Sequence, residues 1–127
     1  MSFSALEAVR LFIAIVLVES GGDPTAVGDG GEAIGIAQIR PILVEDVNRI
    51  EGEERFKHSD ALNPLLAFEM FVIYSEHYAD HTDDYSPEGI ARRWNGGPTG
   101  HEKEATKAYW AKVNLRFTRH NDGRISR

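Results

Sequence analysis

The residue with the clearest potential for chemistry is Glu19, which directly follows the apolar run Leu11 to Val18. In a helix, Glu19 lies one turn beyond Ile15 and Val16, so its carboxylate shares an apolar face. The segment SGGDP comes next and predicts the helix end, where the helix dipole is negative. Burial and the dipole both oppose ionisation and raise the pKa of a carboxyl group. General acid catalysis needs such a protonated carboxyl group; the alternative is an exposed Glu on a frayed last turn.

A pair of histidines, His77 and His81, is spaced i, i+4 on a predicted helix and could contribute to a metal site. Zinc sites in proteins use at least three protein ligands, and no third ligand at a motif spacing accompanies this pair. The pattern therefore predicts a solvated polar face of a helix. We expect neither a bound metal ion nor a cofactor.

The composition excludes some classes of partner. The chain of 127 residues has a net charge of −6 and no basic stripe, so nucleic acid is not an expected partner. There is no cysteine, so disulfides play no part. The apolar run before Glu19 is too short to span a bilayer, and no small-residue cleavage site follows it. We therefore expect no stable membrane insertion and no export signal.

Four short segments combine glycines with polar and aromatic residues. They are, in order, ESGGDPTAVG, AIGIAQIRP, ARRWNGGP and TKAYWAKV. Their order and separation resemble the four motifs of the soluble lytic transglycosylase domain, a family of the lysozyme-like superfamily related to the goose-type lysozymes. The resemblance extends over about residues 10 to 113. It implies that the substrate is the peptidoglycan glycan strand, cleaved between N-acetylmuramic acid and N-acetylglucosamine at a β-1,4 bond.

In the first two motifs, the resemblance implies roles for three residues. Glu19 matches the family's single catalytic acid, which then acts as a base on the C6 hydroxyl of muramic acid and closes a 1,6-anhydro ring without water. Ser20 matches a serine whose hydroxyl could bind the acetamido or lactyl group, or could simply be a turn residue at the helix end. Gln38 suits hydrogen bonding to sugar, and it could equally hold the loop in place.

In the last two motifs, aromatic and amide side chains stand at the matching positions. Trp94 replaces a frequent tyrosine, so a hydrogen bond from that hydroxyl to Glu19 is absent or is remade by the indole N–H. Asn95 matches a residue that contacts an acetamido group, with a helix C-cap as the alternative. Tyr109 matches the family's cleft tyrosine, which can reach the acid or the sugar.

Hydrolysis, as in a goose-type lysozyme, is the alternative to ring closure. A hydrolase needs a second carboxylate, and the candidates are Asp23, Asp29, Glu32 and Asp60. Asp23 is better explained as an Asx-turn residue. Two other classes of protein remain as alternatives. A catalytically silent glycan-binding or virion-structural module is disfavoured because Glu19 is intact. A general helical interaction domain would leave the four motifs unexplained.

The elements that must position these residues are mostly helical. Apolar spacing and start signals predict helices over residues 1–20, 41–50, 64–80, 87–95 and 102–118. Ser2 or Ser4 is the expected N-cap of the first helix. The glycine-rich stretch from Gly21 to Ala33 predicts a loop or a short hairpin beside the cleft, and residues 34–39 fit a strand or a buried turn. The expected fold is mainly α, a lysozyme-like α+β fold.

We expect one domain over residues 1–127, with a basic tail from about residue 119, and a monomer. Peptidoglycan glycan strands are the expected partner. A small cysteine-free enzyme of this kind suits a phage endolysin, a bacterial enzyme exported by another route, or a domain of a longer protein. The sequence does not distinguish these origins.

Overall fold

The computed structural model of the protein describes residues 4–121. Over this range the chain forms five α-helices: α1 (Ala5–Glu19), α2 (Pro41–Glu51), α3 (Pro64–Thr82), α4 (Pro87–Gly96) and α5 (Lys107–Asn121). Two short strands, β1 (Val27–Gly28) and β2 (Ala33–Ile34), pair as an antiparallel hairpin between α1 and α2. Short 3-10 helices lie at Asp29–Gly31, His58–Leu62, Gly100–Glu102 and Glu104–Thr106. The predicted mainly α fold, in one compact domain with a small hairpin, is confirmed.

Side-chain caps fix the beginnings of three helices. The Ser4 hydroxyl accepts a hydrogen bond from the Glu7 N–H (3.0 Å) at the start of α1. Asn63 accepts from two backbone N–H groups at the start of α3, and Ser86 accepts from one at the start of α4. Each cap satisfies an N–H that has no partner within its helix, which stabilises the helix by about 1 kcal/mol. The predicted starts of these three helices are therefore correct within a few residues.

The segment before α5 differs from the prediction, because the expected helix does not begin near Glu102. Lys103 is extended (φ −91°, ψ 131°) and separates two 3-10 turns. Arg92 causes this arrangement, since it donates to the Lys103 carbonyl (2.8 Å) and to the Thr106 hydroxyl (2.8 Å). These bonds hold the segment against α4, so the regular helix begins only at Lys107.

The core lies where α1 packs along α5 and beside α3 and α4. Leu11 and Ile15 of α1, Phe71 of α3 and Val113 of α5 are completely buried. The apolar sequence of α1 suggests a helix buried on every side. Its outer face is partly exposed, however, since Leu17 is 39% exposed. Burial of the inner face of α1 fixes the direction in which its last residue, Glu19, points.

The hairpin region closes into a tight turn. Ile34 and Ile39 exchange two backbone hydrogen bonds (3.1 and 2.9 Å), so residues 34–39 form a turn closed by an isolated bridge instead of a longer strand. Gly35 has φ 82°, and a Cβ there would overlap the carbonyl oxygen of Ala61. This close approach holds the hairpin against the 3-10 helix at His58–Leu62.

The C-terminal helix extends further than its apolar pattern suggested. Helix α5 continues to Asn121, so the expected basic tail begins inside the helix, and its residues 122–127 lie outside the described part of the chain. Phe117 is buried and continues the inner face of α5 beyond Val113. None of the helices within residues 4–121 combines the length and the apolar character needed to cross a membrane.

Candidate active site

Glu19 is the last residue of α1 and lies at the edge of a groove. The Tyr109 hydroxyl of α5 donates a hydrogen bond to Glu19 Oε2 at 2.9 Å. Burial raises the pKa of the Glu19 carboxyl, while the hydrogen bond from Tyr109 and the positive charge of Arg40 act in the opposite direction. Burial is the stronger influence, so the pKa lies above its usual value. This shift favours the protonated form of the carboxyl group.

The groove beside Glu19 has a volume of about 600 Å³ and is formed by residues of α1, α2, α3, α4 and the hairpin region. Glu19, Gln38, Trp94 and Asn95 line it together, although they come from distant parts of the sequence. The other walls are formed by the hairpin region, α2, α3 and the loop after α4, with Asp29, Ala33, Ile39, Arg40, Ile42, Leu43, Glu45, Asp46, Arg49, Tyr74, Tyr78, Gly97 and Pro98. A volume of about 600 Å³ lies in the range of small-molecule binding sites.

Ser20 ties the end of α1 to the turn after β2. Its hydroxyl donates to the Ile36 carbonyl at 2.8 Å and accepts from the N–H groups of Gly22 and Asp23, both at 3.1 Å. The hydroxyl is thus hydrogen-bonded within the protein, and Ser20 has the role of a turn residue at the helix end, one of the two roles that the sequence allowed. The expected sugar contact of Ser20 stays a prediction.

Gln38 also stabilises the hairpin region, and its side chain lines the groove. Its amide NH₂ donates to the carbonyls of Ala26 (3.2 Å) and Gly35 (3.1 Å), and its own backbone has φ 52°, which is uncommon for a residue with a side chain. A Cβ at Gly28 would overlap Gln38 Oε1, so the glycine makes room for the amide. These contacts fix the orientation in which Gln38 faces the groove.

Trp94 and Asn95 lie at the end of α4. The indole of Trp94 is buried edge-on against Phe71 and Tyr74, with ring centroids 5.3 and 5.8 Å apart, and it forms part of the groove floor. Within the described residues its N–H makes no hydrogen bond to Glu19, and Tyr109 is the side chain that does. Asn95 is exposed, and because the cap of α4 is Gly97, the alternative role of Asn95 as a helix C-cap is wrong.

The four candidate second carboxylates occupy different surroundings. Asp23 accepts from the N–H (2.9 Å) and the hydroxyl (2.8 Å) of Thr25, so it is the expected Asx-turn residue. Asp60 accepts from the Lys57 N–H (2.9 Å) in a 3-10 cap, and Glu32 is exposed outside the groove lining. Asp29 alone of the four lines the groove, where it forms an ion pair with Arg40.

Several groove residues could not be identified from the sequence. Arg40, Asp46 and Arg49 come from α2 and its N-cap, and Tyr74 and Tyr78 come from α3. The i, i+3 spacing of Asp46 and Arg49 and the i, i+4 spacing of the tyrosines are the signals in the sequence. Such spacing shows that a pair shares one helix face, but it does not show which neighbour that face meets.

The histidine pair on α3 lies outside the groove. The rings of His77 and His81 are 4.3 Å apart between centroids, and His81 Nδ1 lies 3.0 Å from the His77 carbonyl oxygen. In the part of the chain from residue 4 to residue 121, no further carboxylate or imidazole joins them in a group that could hold a metal ion.

The site thus combines a carboxyl group of raised pKa with a groove lined by amide and aromatic side chains. The family model described as "Transglycosylase SLT domain" matches residues 7–117, nearly the whole chain. The protein therefore belongs to the transglycosylase SLT domain family, whose members cleave the glycan strands of peptidoglycan. No match was found among curated proteins or among solved structures.

Proposed function

We propose that this protein is a lytic transglycosylase that cleaves the bond between N-acetylmuramic acid and N-acetylglucosamine, with Glu19 as general acid and then as general base. The observation that carries the proposal is the position of Glu19: a carboxyl group with a raised pKa, hydrogen-bonded by Tyr109, among the residues that line the groove. A protonated carboxyl group in this place can serve a leaving sugar oxygen. The resemblance of the surrounding motifs supports the same substrate.

The proposed reaction begins with proton transfer. Glu19 gives its proton to the glycosidic oxygen, and this oxygen keeps the electron pair of the broken bond to C1 of muramic acid. Positive charge develops on the muramic acid ring, as in other glycosidases. The C6 hydroxyl oxygen of the same ring then bonds to C1, and its proton passes to the Glu19 carboxylate. This step forms the 1,6-anhydro product, restores the acid and consumes no water.

Two neighbours of Glu19 serve the second half of this cycle. Tyr109 donates to Oε2, and the charge of Arg40 lies near enough to stabilise the carboxylate. Both favour the ionised form that exists only after proton transfer, whereas burial favours the acid that starts the reaction. The net effect on the pKa of Glu19 is upward, and the two neighbours oppose that rise.

The sugar contacts follow from the residues that line the groove. The side chains of Gln38 and Asn95 in the groove lining can bind acetamido or hydroxyl groups, and Trp94 lines the groove beside them. Ser20 acts by holding the turn between α1 and the hairpin region. We propose that the enzyme works as a monomer, because the groove is formed within one chain.

Hydrolysis is the second candidate, and the position of Asp29 favours it. Asp29 lines the same groove as Glu19 and could hold a water molecule on the other side of the sugar. Its ion pair with Arg40 argues for a structural role, because the carboxylate is already engaged.

Mass spectrometry of fragments released from purified peptidoglycan distinguishes the two reactions. We expect 1,6-anhydro-muramic acid ends, with fragments that are lighter by one water than hydrolysis products, and we expect Asp29→Asn to keep most of the activity. Glu32→Gln, which removes an exposed carboxylate outside the groove, is the matched control. Reducing ends together with an inactive Asp29→Asn variant would instead identify a hydrolase.

A further inference from the structure

A hydrogen-bonded network joins α2 to α3 on the wall of the groove. The Tyr78 hydroxyl donates to Asp46 Oδ2 at 2.6 Å. Arg49 donates through Nε to Asp46 Oδ1 at 2.9 Å and through Nη2 to the Tyr78 hydroxyl at 3.0 Å. All three side chains line the same groove as Glu19, and none belongs to the segments that carry the family resemblance. The proposed reaction does not use them.

The network lies away from the reacting bond. Arg40, at the N-cap of α2, is near enough for its charge to act on Glu19. Arg49 lies near the other end of the same helix, roughly 13 Å further along its axis. The groove therefore extends along α2 from the acid to the network, a length that exceeds one sugar ring.

Aromatic rings connect the two ends of the groove. Trp94 contacts Tyr74 edge-on (5.8 Å between centroids), and Tyr74 contacts Tyr78 edge-on (4.9 Å). All three rings line the groove, and Tyr74 is almost completely buried between the other two. These rings pack into one cluster that connects the part of the groove near Trp94 with the network at Tyr78, and the network adds polar groups there.

The charges of the network indicate the kind of group that it binds. Asp46 compensates the positive charge of Arg49 through the bond to Nε and a further bond to Nη2. Arg49 Nη1 forms no hydrogen bond within the described residues, and the side chain is 62% exposed. A charge-compensated guanidinium with free N–H groups suits an uncharged oxygen better than a carboxylate.

We propose that Arg49, positioned by Asp46 and Tyr78, forms a distal subsite that binds a hydroxyl or acetamido oxygen of a sugar remote from the cleaved bond. This inference rests on the proposed function, because it assumes that the groove holds a glycan strand. Arg49 is the binding residue, and Tyr78 and Asp46 are positioning residues. The subsite adds affinity for long strands and takes no part in proton transfer.

The test measures binding of a β-1,4-linked N-acetylglucosamine hexamer to the Glu19→Gln variant by calorimetry, together with the NMR signal of the Arg49 Nε–H. In this background we expect Arg49→Ala and Tyr78→Phe each to weaken hexamer binding roughly tenfold, as the loss of a hydrogen bond to a charged group implies. We also expect the Arg49 Nε–H signal to move on saturation with the hexamer, a change that a purely structural link between α2 and α3 would not produce.

Two matched controls are built into the chain. Arg55 is also paired with carboxylates, those of Glu51 and Glu69, and Tyr85 also donates to an aspartate, Asp80. Neither Arg55 nor Tyr85 lines the groove, so Arg55→Ala and Tyr85→Phe should leave hexamer affinity unchanged.

The outcomes separate this inference from the proposed function. If wild-type protein releases fragments from peptidoglycan while Arg49→Ala binds the hexamer as tightly as Arg55→Ala, or while the Arg49 signal does not move, the subsite is wrong and the proposed function stands. If no variant binds the hexamer and the wild type releases no fragments, the proposed function fails and the subsite fails with it.

Discussion

At the scale of single residues, Glu19 is subject to opposing influences of different origin. Burial at the end of α1 raises the pKa of its carboxyl group, and the Tyr109 hydroxyl and the charge of Arg40 lower it. Arg40 is itself partly compensated by Asp29. A group that acts first as an acid and then as a base needs such a balance, because burial alone would disfavour the ionised carboxylate that serves as the base.

Replacing Tyr109 by Phe should move the pH dependence of cleavage. In the wild type, the hydrogen bond from Tyr109 favours the ionised carboxylate of Glu19. Without this bond, the pKa of Glu19 rises further. The acid then stays protonated to higher pH, and the basic limb of the pH–rate profile shifts upward. The maximal rate should also fall, because the carboxyl group is less well oriented.

The profile of Tyr85→Phe, which loses a hydroxyl outside the groove, provides the comparison. A basic limb that stays at the wild-type pH in Tyr109→Phe would show that the Tyr109 hydroxyl has no influence on Glu19.

Only some of these residues could be predicted from the sequence. Glu19 was recognisable because a carboxylate at the end of an apolar helix is unusual. The motif resemblance left Tyr109 a choice between the acid and the sugar, and in the structure its hydroxyl donates to Glu19. Arg40 and Arg49 were not recognisable, because an exposed-looking arginine on a helix gives no sign of the groove that it faces. Their placement depends on how α2 packs against α3 and the hairpin region.

At the scale of elements, the hairpin region holds one side of the groove. Ser20 bonds it to the end of α1, and Gln38 bonds it internally to Ala26 and Gly35. The glycines predicted a loop or a short hairpin, and residues 34–39 fitted either a strand or a turn, but the local sequence did not decide between these alternatives. The outcome depends on contact with Ala61, which lies far along the chain.

Gly35→Ala should destabilise the protein and disturb the groove. The residue has φ 82°, and a Cβ would overlap the Ala61 carbonyl oxygen. Strained backbone alone costs on the order of 1–3 kcal/mol, and the overlap adds to it. Chemical denaturation measures the free energy of unfolding.

Gly52→Ala is the control for backbone strain without overlap. Gly52 has φ 77°, and no atom lies within 4 Å of the position that a Cβ would occupy there. We expect Gly35→Ala to be clearly the more destabilising of the two variants, and equal free energies of unfolding would contradict the role given to the contact with Ala61.

The start of α5 shows why local patterns misplace an element. The sequence from Glu102 onward is compatible with a helix, yet Arg92 of the preceding helix binds the Lys103 carbonyl and holds it out of helical geometry. A buried guanidinium needs acceptors, and the nearest ones belong to this segment. A tertiary hydrogen bond of this kind leaves no trace in the local sequence.

At the scale of the whole molecule, the site exists only because distant parts of the chain meet. Tyr109 and Glu19 are separated by 90 positions in the sequence and are joined by one hydrogen bond of 2.9 Å. The packing of α5 along α1 creates that contact, and α2, α3 and α4 complete the groove. The class of fold was predictable from apolar periodicity and start signals, whereas the shape and extent of the groove required the structure.

We expect cleavage to be independent of metal ions. The proposed reaction needs a proton donor and a shaped groove, and the pair His77 and His81 lies outside that groove. Prolonged incubation with a chelator, followed by a lysis assay, should leave the rate unchanged. Activity that is lost on chelation and restored by zinc would contradict this prediction.

The central claim is that Glu19 supplies the proton, and Glu19→Gln tests it most directly. The amide is nearly isosteric and can still accept a hydrogen bond from Tyr109, but it cannot act as an acid. With Glu32→Gln as the control and circular dichroism to verify the fold, we expect the rate of peptidoglycan cleavage to fall at least roughly a hundredfold. A folded Glu19→Gln variant that cleaves peptidoglycan at the wild-type rate would contradict the account.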